Sequence, residues 1–211
     1  CQSRRGICAT NYGRYLAPVL MSFLLLVYLI LSACEFYRPG SPLGNPKLGF
    51  RLGAMGALFL WCMALGSLLF FVGLPFLNLP LRGQAVQVLI LLSLMLTASL
   101  GLCALIHELT PNALLGMEIC LVVGMMSMML SGVTWPSDAF PPLLARFADW
   151  VPYVPFAKGL QTVWHTQLEP SQLPLFTQPL LIMAGLYSGG ALTVRTVRTH
   201  LSHLFQKRAL P

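Results

Sequence analysis

A single acid inside an otherwise uncharged apolar run is the first place to look for chemistry. Glu118 lies in the run Ala113 to Val133. A carboxylate within a bilayer is expensive and normally faces a bundle interior or a water-filled cavity. One reading makes Glu118 a pathway-lining or gating carboxylate. The other places it near the cytoplasmic interface, about 10 Å along a helix that starts near Pro111, where it snorkels or meets a neighbouring polar group. His107 and Glu108 sit in the short segment His107 to Asn112. His200 and His203 stand three apart in a basic, helical tail. Neither pair has metal partners nearby in sequence, so both are expected to be solvated.

The six cysteines are Cys1, Cys8, Cys34, Cys62, Cys103 and Cys120. They show no CxxC or Cys/His metal spacing, and small apolar packing is the expected role. Met117, Met125, Met126, Met128 and Met129 gather in the run that holds Glu118. Flexible thioethers suit either ordinary packing or a promiscuous apolar path. No GxSxG, HExxH, DxD or Walker motif occurs, so no catalytic residue, metal or cofactor is expected in this chain. Any ATP would bind a separate subunit.

The elements that must position these residues are membrane spans. The chain has 211 residues, of which 56% are hydrophobic and 9% charged, and its net charge is +7. A soluble domain carries about 25% charged residues. That excludes an ordinary soluble domain, a disordered chain and a soluble nucleic-acid binder, and no basic face with interleaved aromatics is present. Five apolar runs approach the length of about 20 residues needed to cross a bilayer. They are Leu16 to Ala33, Leu52 to Leu74, Ala85 to Ile106, Ala113 to Val133 and Leu173 to Val194. Unbroken leucine-rich runs are helical; a barrel would alternate in ten-residue segments. The expected fold is all-α: a polytopic integral membrane protein with five transmembrane helices.

The connection Thr134 to Gln172 is long and semi-apolar. Pro141, Pro142, Pro152 and Pro155 interrupt it, and Arg146, Asp149 and Lys158 are costly in hydrocarbon. Its tryptophans suit the headgroup level. One or two short interfacial or re-entrant helices are expected there. Four-residue spacing of small residues at Gly116–Cys120–Gly124, Gly49–Gly53 and Gly185–Gly189 fits close helix approach, within one chain or across a dimer seam.

Both ends of the chain are basic. With the C-terminus inside, seven Lys/Arg lie in the cytoplasm and six outside. The chain starts at Cys1, which reads as a fragment or a processed product. If residues 1–15 are the remnant of a translocated domain, their charges count little and seven stand against three. The expected organisation is an extracytoplasmic remnant over 1–15, a permease-like membrane domain over 16–200 and a basic cytoplasmic tail over 201–211. A rival reading takes Arg4, Arg5 and Arg14, the first run and Leu31-Ser32-Ala33-Cys34 as a lipoprotein-like signal segment.

The fourth span and its sequel resemble a known pattern. Ser131-Gly132-Val133-Thr134-Trp135-Pro136, then Phe140-Pro141, then Trp150-Val151-Pro152-Tyr153-Val154-Pro155-Phe156 resembles the "SG-x-x-x-P … FP … P-hydrophobic" signature of type-2 ABC exporter permeases. Leu79-Pro80-Leu81-Arg82-Gly83-Gln84 resembles that family's outer turn between its third and fourth spans. The resemblance implies that Ser131, Gly132, Trp135, Pro136, Pro141, Pro152 and Pro155 belong to an outer re-entrant gate. It also implies a missing first span and outer domain. Glu35, Arg38, Gly40 and Ser41, with Lys47 and Arg51, would form the loop that couples to the ATPase; Cys34 stands where the family has Arg. The implied activity is ATP-driven export of a drug-like or lipid-like substrate across a bacterial inner membrane. The implied partners are a separate ATP-binding cassette subunit, a second permease half and membrane lipid, with no nucleic acid. A membrane-embedded enzyme and a non-transporting assembly subunit are the alternatives.

Overall fold

The structure is a computed structural model that describes residues 12–38, 48–76, 83–133, 140–165 and 172–208. The described residues form helices and no strands. In chain order these are α1 (Tyr12–Glu35), α2 (Leu48–Leu68), a π-helical turn (Leu69–Gly73), α3 (Leu74–Phe76), α4 (Ala85–Leu109), α5 (Ala113–Leu130), α6 (Pro142–Ala148), α7 (Tyr153–His165) and α8 (Pro174–Arg208). Five helical stretches are long and apolar enough to cross a membrane: Leu16–Glu35, Leu48–Phe76, Ala85–Leu109, Ala113–Leu130 and Pro174–His200. The chain is an all-α multi-pass membrane protein.

The helices outrun the apolar runs that nucleate them. α2 starts at Leu48 and takes in Arg51; α4 continues to Leu109 and takes in His107 and Glu108; α8 continues through Arg195. In hydrocarbon an unpaired backbone group has no water to turn to, so a helix keeps its hydrogen-bond ladder until it reaches the polar layer. Near the end of the second span the ladder changes register. Leu74 N–H bonds to Leu69 O, five residues back, and Pro75 follows. Proline has no N–H to offer, and a π turn absorbs the lost bond by inserting a residue.

α4 is the central helix and packs against α1, α2, α5, α7 and α8. Val88, Leu91, Leu92, Met95 and Leu96 are fully buried along it. Its longest contact is with α8, where Gly101 allows a near-backbone approach. A Cβ at Gly101 would fall 3.0 Å from Ser188 N and 3.2 Å from Tyr187 Cβ.

The segment between α5 and α8 forms two short helices, as expected, and the prolines start them instead of merely breaking the chain. Pro142 opens α6, and Pro155 lies in the first turn of α7, where a missing N–H costs nothing. α7 packs among α1, α4, α5 and α8, with Tyr153, Phe156, Leu160 and Val163 buried. Trp164 is buried against Phe70, whereas Trp150 is exposed. Tyr153 pins α7 to α1: its hydroxyl donates to Val19 O at 2.6 Å and lies 3.2 Å from Ser22 Oγ.

The small-residue rows divide. Gly116, Cys120 and Gly124 face inward; a Cβ on Gly116 would meet Thr110 Oγ1 at 2.8 Å, and one on Gly124 would meet Ile30 Cδ1 at 2.7 Å. This row packs within the chain. Gly49, Gly53, Gly185 and Gly189 have open space around them.

Removing the Tyr153 hydroxyl tests the α7 anchor. Tyr153→Phe is expected to cost about 1 kcal/mol, a fall of roughly 2–4 °C in thermal midpoint. A thermal-shift assay on detergent-solubilised protein checks this, and an unchanged midpoint would contradict the anchoring role.

Candidate functional site

Two polar features stand out in the apolar bundle. The first lies where α1 and α4 end, α2 starts and α8 leaves the bundle. Glu108 on α4 accepts from Arg51 of α2 at 3.3 Å and faces Arg195 of α8 at 3.7 Å. The Glu108 side chain is only 10% exposed and each arginine 18%. A carboxylate shared by two guanidinium groups retains a favourable pairing where each charge alone would be costly.

An aromatic stack extends this triad inward. The Arg51 guanidinium lies 4.7 Å from the Tyr37 ring centroid. Tyr37 stacks on His107 at 4.4 Å and 23°. Burial, with Glu108 adding to it, pushes the Tyr37 phenol above its ordinary range, so it stays neutral. His107 is 6% exposed, next to the thiols of Cys34 and Cys120. The expectation of a solvated His107–Glu108 link is corrected: both residues belong to the last turn of α4, and neither faces open solvent. Arg51 likewise pairs across helices instead of lying in a free loop.

A cavity of 360 Å³ opens beside the triad between α2, α4 and α8. Arg51, Glu108 and Arg195 line one end of it. Met55, Phe59 and Leu100 line its apolar body. Its shape suits an amphiphile with a charged head and a hydrocarbon tail.

The second feature is Glu118. It is exposed on α5 in line with Leu114, Val122, Met125 and Met129, which are exposed too. Among the described residues it makes no ion pair. The inward side of α5 is the small-residue row, so Glu118, Met125, Met126 and Met129 share the outward side, while Met117 packs against the core.

The remaining expected site residues have local roles. Glu35 and Arg38 form an exposed pair at 3.4 Å, one helical turn apart. Ser131 ends α5, its Oγ donating to Met128 O at 2.6 Å, and Gly132 follows at φ 81, the left-handed conformation common after a helix end. Pro141 is the residue before α6, and its carbonyl accepts from Ala145 N at 3.0 Å. Pro152 and Pro155 are buried where α7 begins. Gly40, Ser41, Lys47, Trp135 and Pro136 lie outside the described residues. The structure brings Arg51 to Glu108 and Arg195 and does not join Glu118 to any other expected site residue. The Glu108–Arg195 pairing went unanticipated; two opposite charges just past the ends of the third and fifth apolar runs are its only trace in the sequence.

The two ion pairs are expected to differ in weight. Glu108→Gln, which removes the carboxylate that two partly buried arginines share, is expected to cost on the order of 2–4 kcal/mol. Glu35→Gln is expected to cost under about 0.5 kcal/mol. Denaturation in detergent measures both, and equal losses would contradict the placement of Glu108. The sequence matches no protein-family model, no curated protein and no solved structure.

Proposed function

We propose that the chain is the permease subunit of an ATP-driven exporter, working with a separate ATPase subunit and a second permease half to move a drug-like or lipid-like substrate out of the cytoplasm. The observation that carries this reading is Glu118. A carboxylate turned to lipid on a spanning helix costs about 2.5–3.5 kcal/mol near the helix centre. An acid retained on the outward face of α5, among flexible methionines, fits a face that a second half or a water-filled path covers. The α6–α7 insertion between the last two spans, with α7 buried among the other helices, agrees with the resemblance to type-2 exporters.

Charge favours a cytoplasmic C-terminus. Arg38, Arg51, Arg195 and Arg198 share the end of the bundle where α1 finishes and α8 leaves. Arg146 and Lys158 lie toward the other end. The positive-inside rule puts the richer end in the cytoplasm, which in a bacterium makes this an inner-membrane protein. That end also carries Glu35 and Arg38, the residues expected to couple to the ATPase. ATP-driven switching requires that the ATPase bind two arrangements of the spans with different affinity.

The amphiphile-shaped cavity favours a second reading, a membrane-embedded enzyme or binding protein for lipids, in which the Arg51–Glu108–Arg195 end holds the head group. Efflux separates the two. In cells producing the full-length protein and its ATPase, Glu118→Gln is expected to slow efflux of a fluorescent amphiphile by about tenfold, a barrier change of about 1.4 kcal/mol, at unchanged membrane abundance. Efflux equal to that of the unmodified protein would sink the pathway role. Turnover of a lipid by the purified chain without any ATPase would favour the enzyme.

A further inference from the structure

Three helices bring thiols and an imidazole together in the dry interior. Cys34 is the next-to-last residue of α1. Cys103 and His107 stand one turn apart on α4, and Cys120 lies two turns into α5. One ligand atom each from Cys34, His107 and Cys120 all fall within 4.8 Å of one another. Cys120 Sγ is 3.9 Å from His107 Nδ1, and the Cys103 thiol adjoins that of Cys120 but stands outside the 4.8 Å group. All four residues are buried. Cys62, buried on α2, belongs to no such group among the described residues.

The imidazole carries a second, independent sign. His107 Nδ1 lies 2.8 Å from Cys103 O. A carbonyl only accepts, so the proton is assigned to Nδ1. Nε2 then holds a lone pair that is buried and has no hydrogen-bond partner. A buried acceptor without a donor is costly, although the thiol of Cys120 approaches the ring at Nδ1 and Nε2 lies beside Gly116.

We propose that Cys34, Cys103, His107 and Cys120 form a structural Zn²⁺ site. Three thiolates and one imidazole are a known tetrahedral zinc set, and full burial leaves no open position for a reacting water. Hard cations such as Ca²⁺ and Mg²⁺ require oxygen ligands, and this group has only sulfur and nitrogen. Binding replaces three thiol protons with one Zn²⁺, and the protons leave to solvent.

The charge is met locally. A Zn²⁺ with three thiolates carries one negative charge. Arg51, Glu108 and Arg195 together carry one positive charge, joined to the site by the stack of Tyr37 on His107. The ion would hold the end of α1, the last turns of α4 and the start of α5 in one register. That role is independent of the transport reading.

The test uses the full-length protein, purified in detergent through a histidine-free tag and without chelator. About one zinc per chain is expected, with X-ray absorption showing sulfur near 2.3 Å and nitrogen near 2.0 Å. Cys34→Ser and Cys120→Ser are expected to lose the metal, and Cys62→Ser is expected to keep it. Cobalt substitution of the unmodified protein is expected to give thiolate-to-cobalt charge-transfer absorption, a readout that does not depend on any variant folding. No retained zinc together with no such absorption would overturn the site. So would zinc content that is indifferent to Cys34→Ser, or a disulfide between Cys34 and Cys120 found by mass spectrometry.

Discussion

The carboxylate of Glu108 holds guanidinium groups from two other helices in a chain whose surroundings offer mostly hydrocarbon. Much of one end of the bundle depends on that sharing. It fixes where α2 begins, because Arg51 sits in its first turn. It lets α8 carry Arg195 back against α4 before leaving the bundle. It also holds Arg51 over Tyr37 and so keeps Tyr37 stacked on His107. With few charges available and no water to screen them, each interior charge requires a partner from a different helix, and those pairings set how the helices meet.

The opposite end is held by other means. There α7 enters the bundle and is secured by apolar burial and by the Tyr153 bond to Val19 O. One end is a network of ions, rings and thiols; the other is a packed apolar plug. Between them α5 presents two unlike faces. Its glycines and Cys120 lie tight against α1 and α4, and Met125, Met126, Met129 and Glu118 face outward. A helix that is locked on one side and soft on the other suits a surface that takes up a partner.

The spans were legible because a run of about twenty apolar residues admits few other structures. Their ends were less so. Arg51, Glu108 and Arg195 look like loop residues when apolar runs alone are counted, yet the helices continue through them to complete their backbone bonds. The two short helices before α8 were expected, but not the depth of α7, because Pro152, Pro155 and Lys158 argue against burial. The prolines occupy positions with no N–H to lose, and Lys158 points outward. The site at His107 was nearly invisible. Cys34, Cys103 and Cys120 are far apart in the chain, and only the four-residue step from Cys103 to His107 hinted that two of these groups share a face.

Stable association with an ATPase is the most direct test of the central claim. The full-length protein, purified from native membranes under mild detergent and analysed by quantitative mass spectrometry, is expected to bring with it a chain carrying a Walker motif, in about equal amount, and ATP hydrolysis with it. A protein that purifies alone, or with partners of which none carries a nucleotide-binding loop, would contradict the exporter account.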